Sequence, residues 1–178
     1  DARYKSCKSA INAIKLLKKA NVDFTVLEDE PDSGYVMDTL VGKSQETMEI
    51  MKKAAEKLNN YKTIVAYDPA DAKVFLREYK EWGIDINATV RTFTDYVSEL
   101  IKNGNLVPNK LDITFTFQDP SLLSRDLEET DKAREILSAC GIVNEMMLNG
   151  RNTVWAGNLI MNEYIPNVME MTAKARWK

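Results

Sequence analysis

The sequence predicts an α/β fold made of two similar Rossmann-like units, each with mostly parallel strands flanked by helices. Apolar runs typical of strands alternate along the chain with segments whose apolar residues recur at helical spacing. An apolar run also ends twice in an Asp-Pro pair that leads into a helical segment, at residues 68–69 and 119–120. We therefore expect a first unit over residues 1–83 and a second over residues 84–178, with the site at their facing loops.

The elements of the first unit follow from apolar spacing and from turn residues. Ser44 precedes the strongest helical pattern and is expected to cap it, while Gly83 closes the last helix. In chain order we expect a helix over residues 9–21, a strand over 22–28, an acidic loop over 29–34, a short helix over 35–42, a helix over 44–60, a strand over 62–67 and a helix over 70–83.

The elements of the second unit repeat this scheme after a short strand and helix. Pro166 lies inside the last helical pattern and is expected to begin or kink that helix. In chain order we expect a strand over residues 86–93, a helix over 94–104, a linker over 105–110, a strand over 113–117, a helix over 126–141, a strand over 142–148, a loop over 149–157 and a helix from 159.

Composition excludes several classes of site. The chain has 178 residues, 44% of them hydrophobic, a net charge of −3 and no histidine, which excludes Ser-His-Asp catalysis and histidine-ligated metals. The interspersed charges argue against nucleic-acid binding, and no apolar run or leader predicts a transmembrane segment or a signal peptide. Cys7 and Cys140 cannot form a Cys-x-x-Cys pair, and a reduced cytoplasmic setting fits both.

The two Asp-Pro junctions favour helix capping as the role of their aspartates. A carboxylate before a helix accepts hydrogen bonds from free backbone N–H groups, and proline at the first helical position loses no hydrogen bond. We expect Asp68 and Asp119 to be caps.

Asp32, Asp68 and Asp71 lie on loops that should converge in the first unit. Such a cluster raises a pKa, recruits a basic side chain or binds a hard cation through oxygen. Lys43, Lys73 and Arg125 are the candidates for internal neutralisation, and a metal is the less favoured outcome.

The residues around these loops resemble the motifs of one protein family. The segments that carry the resemblance are Asp32-Ser33-Gly34, Asp68-Pro69-Ala70-Asp71, Gln118-Asp119-Pro120-Ser121 with Arg125, and Trp155-Ala156-Gly157. Their order is similar to that of the cysteine-rich CCG domains found in heterodisulfide reductase and in the iron–sulfur subunits of glycolate and lactate oxidases. That family carries Cys-Cys-Gly and Cys-Pro-x-Cys motifs in each unit and opens its second unit with His-Asp-Pro-Cys. The resemblance covers nearly the whole chain.

The resemblance implies a degenerate iron–sulfur site. The former cluster-ligand positions would be Asp32, Ser33, Asp68, Asp71, Ser121, Trp155 and Ala156, and none of them is a cysteine. Iron–sulfur clusters select thiolate ligands, so no cofactor is predicted in this chain. The family also extends beyond both ends of this sequence, so we expect the second unit to be truncated at its C-terminal end. An iron–sulfur cluster is then expected only if cysteines outside this stretch contribute.

Three functions are compatible with these residues. The first is a structural or accessory component beside a redox flavoprotein or an iron–sulfur subunit. The second is a cation-binding or small-ligand-binding protein or enzyme that reuses the emptied cleft, with Asp119 and Arg125 as binding groups. The third is an electron carrier whose cluster is held between two chains by terminal cysteines. For Arg125 itself, an ion pair with Asp119 or Glu128 is the structural alternative.

Overall fold

The computed structural model describes residues 7–157 and 159–176 of the chain. The helices are α1 Cys7–Lys19, α2 Tyr35–Leu40, α3 Gln45–Leu58, α4 Pro69–Lys73, α5 Tyr79–Glu81, α6 Phe93–Lys102, α7 Lys132–Cys140, α8 Leu159–Tyr164 and α9 Pro166–Arg176. The strands are β1 Thr63–Ala66, β2 Thr89–Thr92, β3 Thr114–Phe115 and β4 Ile142–Val143. Two π-helical segments, Val74–Glu78 and Leu122–Asp126, and a 3₁₀ turn, Gly150–Asn152, complete the described elements.

The protein is a mixed α/β structure with short parallel sheets. β1 pairs with β2 from Thr63 opposite Thr89 to Ala66 opposite Thr92, and β3 pairs with β4 over two residues. The parallel orientation is as predicted, while each sheet has only two strands within the described residues. The β1–β2 pairing joins residues on both sides of residue 83, and the division into units at that point stays a prediction.

The strand predicted over residues 22–28 is wrong. This segment is not part of a sheet in the structure, and Val26 is exposed. Val22 and Phe24 instead pack against the apolar cluster formed by α1 and α6. Apolar alternation favours an extended backbone, but a strand also needs a neighbouring strand, which local sequence does not reveal.

Most predicted helices are confirmed, and the largest correction is at residues 126–141. The first part of that range is not α-helical: the π-helical segment ends at Asp126, Glu128 adopts a positive φ of 56°, and α7 begins only at Lys132. A positive φ cannot continue a right-handed helix, so the chain turns there. The strand predicted over 142–148 is limited to Ile142–Val143, and the last helix is divided at Pro166 as expected.

Two apolar clusters fix the loops in place. One joins Met51, Ala54 and Ala55 of α3 to Val74, Tyr79 and Ile84 of the helical run after β1. The other joins Leu17 and Ala20 of the α1 region to Val97, Leu100 and Leu106, with Ile136 of α7 packed against it. The second cluster therefore connects the two halves of the chain. Within the described residues, no helix combines the length and the apolar character that crossing a membrane requires.

Candidate functional site

Ser33 and Gly34 form the first corner of the candidate site. Gly34 immediately precedes α2 and has a φ of 86°. A Cβ atom at this position would lie 2.8 Å from Cγ of Met51. Both the positive φ and the close approach require glycine. The backbone N–H of Gly34 donates to Oδ1 of Asp32 at 2.9 Å. The Tyr79 hydroxyl donates to the Ser33 carbonyl oxygen at 2.9 Å, so the buried Ser33 is held from the core side as well.

Asp68 caps the helical run that follows β1. Its Oδ1 accepts a hydrogen bond of 2.8 Å from the backbone N–H of Ala70, and Pro69 occupies the first turn of α4. The capping role predicted for Asp68 is confirmed. This cap places Asp71, in the first turn of α4, within hydrogen-bonding distance of Ser33.

Asp71 is the most perturbed carboxyl group of the site. The Ser33 hydroxyl donates to its Oδ1 at 2.6 Å, which joins the two loops directly. Burial raises the pKa of Asp71 to about 6, the Ser33 hydrogen bond opposes this change, and the charges of Asp68, Glu30 and Asp32 reinforce it. The predicted convergence of Asp32, Asp68 and Asp71 is therefore observed. Its consequence is that Asp71 keeps its proton up to a pH of about 6.

The lysines proposed to neutralise this cluster have other partners. Lys73 lies 2.8 Å from Oε1 of Glu78 and 3.7 Å from Oδ2 of Asp38. Lys43 lies over the ring of Trp82, 5.7 Å from its centroid. The prediction that a basic side chain such as Lys43 or Lys73 compensates the acidic cluster is not supported by these contacts.

Asp119 occupies the equivalent Asp-Pro junction but is not a helix cap. Its buried carboxylate accepts from Nη1 and Nη2 of Arg134, at 2.7 and 2.9 Å, and from the backbone N–H of Gly150 at 2.8 Å. Burial acts to raise the pKa of Asp119, but these hydrogen bonds and the charge of Arg134 hold it below its usual range. The capping prediction for Asp119 is wrong because its carboxylate binds a bidentate arginine and the distant Gly150 N–H instead of the N–H groups of the helical segment that follows it.

Arg125 donates to backbone carbonyls rather than to an acid. Its Nε donates to the carbonyl oxygen of Arg151 at 3.2 Å, and its Nη2 donates to the carbonyl of Thr153. Neither Asp119 nor Glu128 is its partner, because Glu128 pairs with Arg151. The ion pair expected for Arg125 is therefore wrong. Arg125 instead connects the segment after the second Asp-Pro pair to the loop before Trp155, through its hydrogen bonds to the carbonyl oxygens of that loop.

Gln118 strengthens the same contact between loops. Its Nε2 donates to Oγ1 of Thr153 at 2.8 Å and to the carbonyl oxygen of Val154 at 3.0 Å. Ser121, Trp155 and Ala156 are half-buried beside this contact. The structure thus brings the predicted loops of the second half together through Gln118, Asp119 and Arg125, while it records no bond that joins Ser121 to Trp155.

The two halves meet at a small cavity at the carboxyl ends of β1 and β2. The cavity has a volume of about 70 Å³ and is lined by Ala66 and Pro69 of the first half and by Thr92 and Leu123 of the second. Sites for metabolites have roughly 300–1,000 Å³. This cavity is too small to enclose one. Within the second half, the hydroxyls of Thr92 and Thr94, which also line the cavity, donate to the carboxylate of Glu129.

Arg134 and Tyr79 are the important residues that sequence reasoning missed. Arg134 follows Asp119 by 15 positions, and no local pattern links an arginine in a helix to a strand end before it. Tyr79 has an aromatic ring at helical spacing, which is typical of a core residue, and only its hydroxyl contact with Ser33 reveals a role in the site.

The residues present do not fit an iron–sulfur cluster. The predicted ligand positions carry carboxylate and hydroxyl oxygens, an indole ring and a methyl group, whereas clusters are held by thiolates. The hydroxyl of Ser33 is hydrogen-bonded to the carboxyl group of Asp71, so these two groups are partners of each other. Among residues 7–157 and 159–176, no group of three or more histidine, cysteine, aspartate or glutamate side chains is arranged to hold a metal ion.

Two known proteins resemble this chain. It is 34% identical over 138 residues to the probable iron-sulfur-binding oxidoreductase FadF of Bacillus subtilis (strain 168), which is 76% of this chain and 19% of that protein. It is 32% identical over 146 residues to a probable membrane-anchored ferredoxin of Chromohalobacter salexigens, which is 77% of this chain and 22% of that protein. No protein-family model matches the chain, and no solved structure matches it significantly.

These similarities point to a protein related to iron–sulfur oxidoreductases. The chain spans about a fifth of the length of the curated relatives that it matches. The comparisons therefore support the predicted relationship to iron–sulfur oxidoreductases.

Proposed function

We propose that this chain is a CCG-type domain without its own cluster, which serves as a structural or accessory component of an iron–sulfur oxidoreductase complex. Its partner is a redox flavoprotein or an iron–sulfur subunit that carries the redox centre. One observation carries the proposal. Asp32, Ser33, Asp68 and Asp71 stand at four positions where the resembled family has cysteines, and here Ser33 is hydrogen-bonded to Asp71 while Asp32 and Asp68 each accept from a backbone N–H of their own loop.

The chemistry of this network suits a scaffold. In a cluster site, thiolates point at iron and depend on the metal for their stability. Here Asp32 accepts from Gly34, Asp68 accepts from Ala70, and Ser33 donates to Asp71. Because these oxygen atoms have hydrogen-bond partners within the two loops, the loops keep their arrangement without a metal.

The two glycines of the resembled motifs support the proposed pair of similar units over residues 1–83 and 84–178. Gly34 and Gly157 both have positive φ, 86° and 101°. A Cβ atom would lie 2.8 Å from Cγ of Met51 at the first glycine and 3.1 Å from Sδ of Met169 at the second. A glycine with positive φ and a close methionine neighbour thus recurs in both halves.

Restoring the ligands tests the assignment of the four positions. A variant with Asp32→Cys, Ser33→Cys, Asp68→Cys and Asp71→Cys is incubated anaerobically with iron and sulfide. We expect it to bind both in stoichiometric amounts and to become coloured, because four thiolates then converge. A matched control carries cysteines on the exposed face of α3, at Glu49, Lys52, Lys53 and Glu56. A folded variant that takes up no more iron and sulfide than the control contradicts the assignment.

The accessory role has its own experiment. The tagged chain is added to an extract of its source organism, and captured proteins are examined for bound flavin, iron and sulfide. We expect a flavoprotein or an iron–sulfur protein to be recovered in a stable ratio to the bait. Recovery of no redox protein, from an extract in which such proteins are detected, argues against the role.

Cation binding in the emptied cleft is a second candidate function: the charges of Asp32 and Asp68 act on the buried Asp71, although the described residues contain no preformed group of three metal-ligating side chains. A cation bound among Asp32, Asp68 and Asp71 would displace the proton of Asp71, so binding should strengthen as pH rises. Asp119 and Arg125 already have internal partners, so this candidate depends on the first half alone. Titration with Mg²⁺, Ca²⁺ or Mn²⁺ should raise the melting temperature, and Asp71→Asn should abolish the effect. No shift with any of these ions rejects the candidate.

A further inference from the structure

The exposed face of α1 carries a group of lysines. Lys8, Lys15 and Lys19 recur at spacings of seven and four residues, which places them in one row along the helix, and Lys18 lies beside that row. All four side chains are exposed, whereas Leu17 on the opposite side of the helix is buried. We call Lys8, Lys15, Lys18 and Lys19 the α1 basic face.

The charge of the α1 basic face is not neutralised within the protein. Several lysines elsewhere pair with acids: Lys57 with Asp29, Lys73 with Glu78 and Lys102 with Glu135. Within the part of the chain that the structure describes, no acidic side chain forms an ion pair with the α1 basic face. Residues 2–22 hold six of the 24 basic residues and none of the 27 acidic ones. Positive charge is therefore concentrated on one surface of a chain whose net charge is −3.

The kind of cation on this face indicates the kind of partner. Arginine forms bidentate bonds of fixed geometry with carboxylates and is enriched at protein interfaces, whereas lysine is depleted there. α1 contains lysine and no arginine. The ammonium group of lysine is a point charge on a flexible stem, which suits a surface of mobile anionic headgroups. The α1 basic face therefore favours an anionic lipid bilayer over an acidic protein.

Two apolar side chains beside the lysines suit the same partner. Ile11 is 50% exposed and Leu16 is 38% exposed, and helical spacing places them on the two sides of the lysine row. On a bilayer, lysine ammonium groups lie among the headgroups while neighbouring apolar side chains contact the boundary with the acyl chains. Leu17 packs in the apolar cluster with Val97 and Leu100 of α6, so α1 would lie on the bilayer as part of the folded protein.

We propose that the α1 basic face binds the anionic surface of a lipid bilayer and makes the protein a peripheral membrane protein. This inference is independent of the proposed redox role, since it depends on the lysines of α1 and the apolar side chains beside them. Each lysine near an anionic bilayer strengthens binding by about fivefold, so the four together should strengthen it by several hundred-fold. Salt screens this attraction, so binding should weaken as ionic strength rises.

The test measures sedimentation of the chain with lipid vesicles. The unmodified chain should bind phosphatidylcholine vesicles that contain about 30% phosphatidylserine and should not bind vesicles of phosphatidylcholine alone. Binding should be lost at about 0.5 M salt. A variant with Lys8→Gln, Lys15→Gln, Lys18→Gln and Lys19→Gln should bind at least about 100-fold more weakly. Circular dichroism checks that it is folded, which is expected because all four side chains are exposed.

A matched control removes the same charge from other exposed positions. It carries glutamine in place of Lys52, Lys53, Lys62 and Lys80, and it should bind the anionic vesicles nearly as well as the unmodified chain. Equal weakening of the two variants, or equal binding of the unmodified chain to both kinds of vesicle, overturns the proposal. A chain that binds immobilised polyglutamate but not the anionic vesicles has an acidic protein as its partner, which overturns the proposal as well.

Discussion

At the scale of single residues, the carboxyl group of Asp71 links burial to a measurable property. Its pKa is about 6 in the folded protein, against an ordinary value of 3.8. The folded state therefore binds this proton more tightly than the unfolded chain does. The resulting stabilisation is fully present below about pH 4 and is lost as pH rises towards 6, above which the difference is constant.

Asp71→Asn should stabilise the protein at pH 8 and have little effect at pH 4. The amide oxygen keeps the acceptor for Ser33, while the buried charge and its repulsion from Asp68 and Asp32 disappear. The gain at pH 8 should reach at most about 3 kcal/mol. Urea unfolding at both pH values measures it, with the exposed Asp112→Asn as control. An equal effect of Asp71→Asn at both pH values is incompatible with a raised pKa.

Asp119→Ala should destabilise the protein strongly. The substitution removes both hydrogen bonds to Arg134 and the one to Gly150, and it leaves a partly buried arginine without that partner. Loss of one partner of a buried pair costs roughly 3–5 kcal/mol. Urea unfolding should show this loss, whereas Glu170→Ala, which breaks an exposed pair with Lys174, should change stability by less than about 1 kcal/mol. Similar effects of the two substitutions would mean that the Asp119 contacts contribute little.

The two aspartates show which residue contacts could be predicted from sequence. Asp68 accepts from an N–H only two residues away, so the order Asp, Pro, small residue was sufficient to predict its role. Asp119 has partners 15 and 31 positions away, and these contacts form only after the chain has folded. The same dipeptide therefore performs different functions at the two junctions.

At the scale of elements, the helical run from Pro69 to Glu81 positions the acidic cluster. It contains a π-helical segment over Val74–Glu78, between α4 and α5. A second π-helical segment, Leu122–Asp126, follows the other Asp-Pro junction. Arg77 of the first segment contacts Asp126 of the second, with its Nη1 donating to the carbonyl oxygen at 3.1 Å. The two runs thus contribute to the junction between the halves.

Asp68→Ala should destabilise the protein by about 1 kcal/mol, because it removes the cap of this run. Asp68→Asn keeps an acceptor for the Ala70 N–H and should change the stability by only a few tenths of that amount. Thermal unfolding of the two variants at the same pH provides the measurement. If alanine and asparagine have the same effect, the Asp68 hydrogen bond is not what stabilises the start of α4.

Helices were more predictable than strands because their signals are local. The apolar spacing of α3 and its cap at Ser44, which accepts from Thr47 at 3.1 Å, lie within one continuous segment. A strand depends on a partner that is distant in sequence. Residues 22–28 have strand-like alternation, yet Val22 and Phe24 pack on helices instead of joining a sheet. The break before α7 depends on the backbone of Glu128, which has no strong sequence signal.

At the scale of the whole molecule, Glu129 connects the segment before α7 to the C-terminal end of β2, beside the cavity where the two halves meet. Glu129→Ala should destabilise the protein by about 2 kcal/mol, because it removes two charge-assisted hydrogen bonds and leaves the buried Thr92 hydroxyl without this acceptor. Glu129→Gln retains an acceptor and should cost less. Chemical unfolding of the variants would show the loss. Equal stability of Glu129→Ala and the unmodified chain would exclude this contact as a source of stability.

The proposed role requires a scaffold related to iron–sulfur oxidoreductases that persists when the cluster ligands are replaced by hydroxyl and carboxylate groups with hydrogen-bond partners inside the protein. Anaerobic purification of the chain, followed by measurement of iron, acid-labile sulfide and the visible absorption spectrum, tests this requirement directly. We expect colourless protein with neither iron nor sulfide in stoichiometric amount. Stoichiometric iron and sulfide with a broad visible absorption would contradict the proposed role and would make the protein an electron carrier.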